Sequence, residues 1–274
     1  MLGALLIVFR EVIEGGLIIG ILFGATRGLP GRGFWIGAGA AAGVAGAGLV
    51  AVFAGAISAL MQGRGHALFD AAILFAAVGM LAWHNVFMAR HGRELARELK
   101  SAGAAAVSGA AAAPLALAAA IAILREGSET VLFLYGLLAG GEKGAGVAFG
   151  ALGGLALGAL TSLAIYGGLL KLSMNRFFAV TGALIAFVAA GMAAEGVSLL
   201  QDAGVLRVLT QKLWDTSAIL SSEGSIAGRA LHALMGYDDN PSALQMLVYG
   251  ATLAAIFGLM RAIARQPAPT PRGA

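Results

Sequence analysis

The stretch Arg10-Glu11-Val12-Ile13-Glu14 decides the fold, because it returns as Arg125-Glu126-Gly127-Ser128-Glu129. Both copies read R-E-x-x-E, and both interrupt long apolar runs. A charged side chain at the centre of a bilayer costs roughly 2.5–3.5 kcal/mol on insertion scales, so six of them unpaired would cost on the order of 15–20 kcal/mol. A chain that bears this cost at two matching places points to a function seated there.

Composition sets the class. Of 274 residues 59% are hydrophobic and 12% are charged, against about 25% charged in a soluble domain. Apolar runs long enough for a ~30 Å hydrocarbon core recur along the chain, which predicts an all-α polytopic membrane protein. Seven transmembrane helices are expected, over 2–26, 34–60, 67–89, 115–139, 145–170, 177–200 and 243–262. The 42 glycines suit helices whose backbones approach closely. Cysteine is absent, which excludes thiolate metal ligands. The first run starts at Leu2 without a basic flank and contains Arg10, so it reads as a mature helix and not a signal peptide.

Basic residues set the orientation. The N-terminus and the segments 61–66, 140–144 and 201–242 carry five, namely Arg64, Lys143, Arg207, Lys212 and Arg229. The segments 27–33, 90–114 and 171–176 and the C-terminal tail carry eleven. Arg10 and Arg125 complete the eighteen. The excess marks the cytoplasmic side, with the N-terminus outside and the C-terminus inside the cell membrane. The pI near 9.8 thus follows from topology, and no basic stripe interleaved with aromatics suggests nucleic acid.

The halves resemble each other. Arg10 and Arg125 are 115 positions apart, while Phe75-Ala-Ala-Val-Gly79-Met80 and Phe187-Val-Ala-Ala-Gly191-Met192 differ by 112. A unit of three helices crosses the membrane an odd number of times, so its second copy enters from the opposite face. The expected plan is two inverted three-helix repeats, 1–89 and 115–200, joined by a cytoplasmic linker over 90–114. An extracytoplasmic loop over 201–242 follows, then a seventh helix and a short disordered tail over 243–274. In the linker, Arg90 to Lys100 reads as a charged solvated helix and 101–114 as loose chain.

Helical geometry gives the motif its chemistry. With Arg at 0°, the first Glu falls at about 100° and the second at about 40°, so the three charges share one face. Arg10–Glu14 and Arg125–Glu129 are i,i+4 pairs, which leaves Glu11 and Glu126 less neutralised. Antiparallel first and fourth helices packed face to face bring four carboxylates and two guanidiniums to one depth. Such a cluster needs a cation or protons to complete it. Hard carboxylate oxygens suit ferric iron, Mg²⁺, Ca²⁺ or Mn²⁺. Further acidic residues, Glu195 within the sixth helix and Asp202, Asp215 and Glu223 in the outer loop, form a candidate secondary path that steers cations inward. His84 and Asn85 sit near the inner end of the third helix, where an interfacial role is expected.

The paired R-E-x-x-E motifs in helices one and four of a seven-helix, N-out chain resemble the oxidase-dependent iron permeases of fungi and bacteria. Leu213-Trp214-Asp215-Thr216-Ser217 and the run from Gly236-Tyr237 to Pro241-Ser242 resemble that family's last loop. The resemblance implies a permease that takes up ferric iron, with Glu11, Glu14, Glu126 and Glu129 as metal ligands and Arg10 and Arg125 as their charge partners. It implies iron as the substrate and no permanently bound cofactor. Since the sequence opens directly in the first helix, the oxidase is expected to be a separate extracytoplasmic protein.

Two other readings stand beside it. One is a transporter of another divalent metal cation. The other is a non-transporting membrane protein whose Arg–Glu pairs pin helices together. No nucleophile–base set or nucleotide loop supports an enzyme. Changing Glu11 and Glu126 together to Gln keeps volume and hydrogen bonding. For a permease, whole-cell uptake of radioactive iron should fall to background while the variant is expressed and folds normally; unchanged uptake would refute a transport role for the motif.

Overall fold

The computed structural model describes residues 1–60, 66–108, 113–169, 173–222 and 224–264. Among them are eight α-helices: α1 Leu2–Ala25, α2 Arg32–Leu60, α3 His66–Ser108, α4 Ala113–Ala139, α5 Gly144–Tyr166, α6 Met174–Asp202, α7 Ile226–Met235 and α8 Ala243–Ala264. Five hold segments long and apolar enough to cross a membrane: Arg32–Ile57, Ala67–Phe87, Gly144–Tyr166, Arg176–Asp202 and Ala243–Ile263. α1 and α4 have comparable length, but each carries the three charges of one R-E-x-x-E. Large apolar side chains such as Val52, Phe53, Phe149, Leu160 and Leu163 stand on the outside of the bundle. An apolar surface of that extent suits lipid and not water.

The connections follow from local chemistry. α1 ends where Thr26 N–H and Oγ both donate to the Leu22 carbonyl, and Arg32 donates to the Phe23 carbonyl at 2.9 Å while lying over the Phe23 ring. A cation there also favours the negative end of the helix dipole. α4 ends in a Schellman motif: Gly141 at φ 82° lets the Glu142 N–H reach the Leu137 carbonyl and its own N–H reach that of Leu138.

α1 packs along α5, α2 along α4, α3 along α6, and α6 along α8, while α1 and α4 also touch each other. Glycine rows make the first two contacts close. A Cβ at Gly154 would lie 2.6 Å from the Leu5 carbonyl oxygen, and one at Gly158 would lie 2.8 Å from Val12 Cβ. On the other pair, a Cβ at Gly43 would lie 2.7 Å from the Ala120 carbonyl oxygen and 2.8 Å from Ile123 Cβ. Side chains at these places would drive α1 and α4 off their partners and displace the charged motifs. α3 is tied to α6 by Asn85, which is buried and donates to the Gly182 carbonyl at 2.7 Å.

Two expectations change. α3 is one helix through residue 108, so the charged stretch after residue 89 continues the helix, and 101–108 is helical where loose chain was expected. Alanine, the best helix former, dominates that stretch. Residues 109–112 of the same stretch and the tail from Gln266 lie outside the described residues. The 201–242 segment also contains a helix, α7. Ser225 caps its start by accepting from the Gly228 N–H, and Gly236 ends it at φ 65°. The two stretches resembling the family loop bind each other, through Leu213 N–H to the Pro241 carbonyl at 3.0 Å and Thr216 N–H to the Asp239 carbonyl at 2.9 Å.

Gly43 and Gly48 test the close packing on one helix, since a Cβ at Gly48 meets nothing within 4 Å. Gly43→Ala should cost about 1–3 kcal/mol as overpacking does, and Gly48→Ala should not destabilise. Thermal unfolding of the detergent-solubilised variants checks the contrast.

Candidate metal centre

The 3.6-residue period places Arg10, Glu11 and Glu14 on the side of α1 that faces α3 and α4, and all three are buried at 2% exposure. Arg10 Nε stands 2.7 Å from Glu14 Oε1, and Arg125 Nε donates to Glu129 Oε1 at 3.1 Å. Both i,i+4 pairs therefore form as the spacing predicts. The two copies are not equivalent. The Arg10 side chain is sealed, while that of Arg125 is 40% exposed and lies over the Phe87 ring at 5.1 Å.

His84 corrects the reading of the third helix. It is 1% exposed and sits among the carboxylates, not at an interface. Its Nε2 lies 3.1 Å from Glu14 Oε2 and 3.9 Å from Glu11 Oε2, and its Nδ1 contacts Glu129 Oε2. One imidazole thus joins a carboxylate of α1 to a carboxylate of α4. The physical reason is that α3 runs on well past residue 89, so His84 lies inside the helix and on its bundle-facing side, while neighbouring Trp83 faces out at 69% exposure. A histidine–asparagine pair inside an apolar run was the available signal; the face it occupies was not legible without the packing.

Glu11, Glu14, His84 and Glu126 each offer one donor atom, and these four atoms lie within 4.8 Å of one another. Arg10 Nη1, both Glu11 carboxylate oxygens and Glu126 Oε2 are buried without a hydrogen-bond partner among the described residues. Buried polar atoms are ordinarily satisfied, so the unpartnered Glu11 and Glu126 oxygens set this cluster apart from the rest of the core. Glu129 is drawn aside, between His84 and Arg125.

The remaining expected residues lie elsewhere. Glu195 is half-buried on α6, and Asp202 is exposed at that helix's end. Asp215 is exposed and accepts from Ser217 Oγ at 2.6 Å and Ser217 N–H at 3.0 Å, which holds its carboxyl below the ordinary range. Glu223 lies outside the described residues. Asp238 accepts from the Asn240 N–H, and Asp239 accepts from the Ser222 N–H. These aspartates order turns.

A helical bundle with membrane-spanning segments that buries carboxylates and an imidazole at one point is compatible with a metal-ion permease. The chain matches the model of the Iron permease FTR1 family over residues 1–267 and belongs to that family. It is 30% identical over 249 residues to the ferrous iron permease EfeU of Yersinia pestis, covering 89% of this chain and 87% of the relative. It is 30% identical over 252 residues to the ferrous iron permease EfeU of Escherichia coli O6:H1, covering 89% of each. No solved structure matches it. The protein is accordingly a multi-pass membrane transporter of iron and not an enzyme.

Removing one partner of a buried pair leaves an uncompensated charge and costs about 3–5 kcal/mol. Arg10→Gln should therefore lower the thermal midpoint well below that of Arg125→Gln, because the Arg125 side chain is 40% exposed and its partner Glu129 keeps His84 beside it. Adding Glu14→Gln to Arg10→Gln should recover part of the loss, as read by unfolding in detergent.

Proposed function

We propose that iron crosses the membrane through the cluster of Glu11, Glu14, His84 and Glu126, with Arg10 and Arg125 limiting its charge and Glu129 orienting the imidazole. The observation that carries this is the convergence of unpartnered buried oxygens from α1 and α4. Four carboxylates against two guanidiniums leave two negative charges if all ionise and His84 is neutral, which a cation neutralises. The motif assignment makes Glu11 and Glu126 the principal ligands, because Glu14 and Glu129 are shared with arginines.

In the fuller reading, seven helices span the inner membrane, with the N-terminus outside and the C-terminus in the cytoplasm. The units 1–89 and 115–200 are inverted repeats, and 90–114 links them. The crossed packing of α1 on α5 and of α2 on α4 supports this plan, because an exchange of the repeats maps one contact onto the other. Transport is by rocking of one unit against the other. Ferric iron, produced outside by a separate oxidase, is the form expected from a carboxylate site. His84 supports a second reading: an imidazole suits Fe²⁺ better than a set of oxygens alone does, and ferrous iron is the substrate in the relatives' names.

Proteoliposomes holding the whole protein separate these readings. Radioactive iron is supplied as ferric citrate, or as Fe²⁺ kept reduced with ascorbate, with Mn²⁺ and Pb²⁺ as competitors. Uptake of the ferric form, unaffected by excess Mn²⁺, is the expected result. Uptake confined to Fe²⁺ would overturn the ferric reading, and equal uptake of Mn²⁺ would overturn iron selectivity.

A further inference from the structure

One turn outward from the cluster, the facing helices carry Ile7 on α1, Leu81 on α3 and Phe133 on α4. All three are fully buried in one apolar core. They form a collar that closes the cluster from the outer side. Beyond the collar lies a cavity of about 40 Å³, bordered by Leu74, Gly136, Gly191, Glu195 and His232 among others. Gly136 follows Glu129 by seven residues, or about 10 Å along a helix.

The cavity is built by one backbone crossing. Gly191 of α6 and Gly236 at the end of α7 approach so closely that a Cβ on Gly191 would lie 2.5 Å from the Gly236 Cα. Gly236 also takes the left-handed conformation that ends α7. Glu195 is one turn beyond Gly191, and His232 is one turn before Gly236, so the crossing brings them to the same cavity. His232 Nδ1 lies 2.8 Å from the Tyr237 carbonyl oxygen. A carbonyl only accepts, so Nδ1 carries the proton, and in the neutral ring Nε2 keeps its lone pair. This is how metal-binding imidazoles are oriented by their second nitrogen. Tyr237 is held in turn by its hydroxyl, which donates to the Leu220 carbonyl at 3.0 Å. Among the described residues no hydrogen bond engages the Glu195 carboxylate. Asp202 follows Glu195 by seven residues on α6, about two turns toward the end of that helix.

We infer that Glu195 and His232 form an outer loading site, where an incoming iron ion is held by one carboxylate oxygen, one imidazole nitrogen and water before it passes the Ile7–Leu81–Phe133 collar. This rests on the proposed permeation through the Glu–His84 cluster. The volume exceeds what one water needs, which leaves room for a partly hydrated cation. Two protein donors bind weakly, as a station that must release its ion inward requires.

The test uses the full-length protein in detergent and in proteoliposomes. His232→Asn keeps a side-chain N–H near the Nδ1 position for the Tyr237 carbonyl and removes Nε2; Glu195→Gln keeps volume and removes charge. In the Glu11→Gln/Glu126→Gln background, anaerobic equilibrium dialysis with Fe²⁺ should retain one weak site, which either added change weakens about tenfold or more. With the cluster intact, each single change should raise the half-saturating iron concentration for uptake about tenfold, with a smaller loss at saturating iron. Absence of the weak site in that background, or a loss of maximal rate with unchanged half-saturation, would overturn the inference and leave the inner cluster standing. Undiminished uptake by the Glu11→Gln/Glu126→Gln protein would instead overturn the permeation reading itself.

Discussion

An arginine buried in an apolar helix bundle must keep a carboxylate within reach, and most of this structure follows from how that demand is met. Arg10 is sealed from solvent with Glu14 2.7 Å away on its own helix. An intrahelical pair can form as soon as the helix does, so α1 enters the bundle already partly neutralised. It does not neutralise Glu11, whose oxygens lack hydrogen-bond partners among the described residues. The surplus negative charge is a property of the motif, which has two carboxylates for each guanidinium. Apposing two motifs doubles the surplus at one point, where protons or a cation can discharge it.

That apposition depends on small residues far from the charges. α1 lies against Gly154 and Gly158 of α5, and α4 lies against Gly43 of α2, at separations that leave no room for a methyl group. These contacts hold the backbones of the two charged helices, and His84 then spans the gap between their side chains. The cluster is therefore positioned by three helices, with the imidazole as its cross-link. The copies differ in surroundings: Arg10 is enclosed, whereas Arg125 reaches the surface above Phe87. A repeat that is symmetric in its letters yields a site with one sealed side and one side open to its surroundings.

In the 201–242 segment charge serves structure. Asp215, Asp238 and Asp239 each accept hydrogen bonds within the turns around α7. Their network holds the segment over one end of the bundle. Tyr237 links it to α7 through its hydroxyl and carbonyl contacts. Of the acidic residues expected along a cation path, Asp215 accepts from Ser217 within a turn.

The sequence alone determined the membrane class, the charged helices and the pairings within them. Hydropathy, run length and i,i+4 spacing are local properties, and no distant contact overrides them. It also marked Glu11 and Glu126 as the less neutralised carboxylates, by elimination within each motif. The role of His84 was decided only by tertiary structure, because a lone histidine in an apolar helix has a face but no partner until other helices are packed against it. The same holds for α7, whose ten residues are too short to stand as a helix without packing against α6 and α1. The unequal exposure of Arg10 and Arg125 belongs there too: identical motifs have identical local energies, and only their neighbours distinguish them.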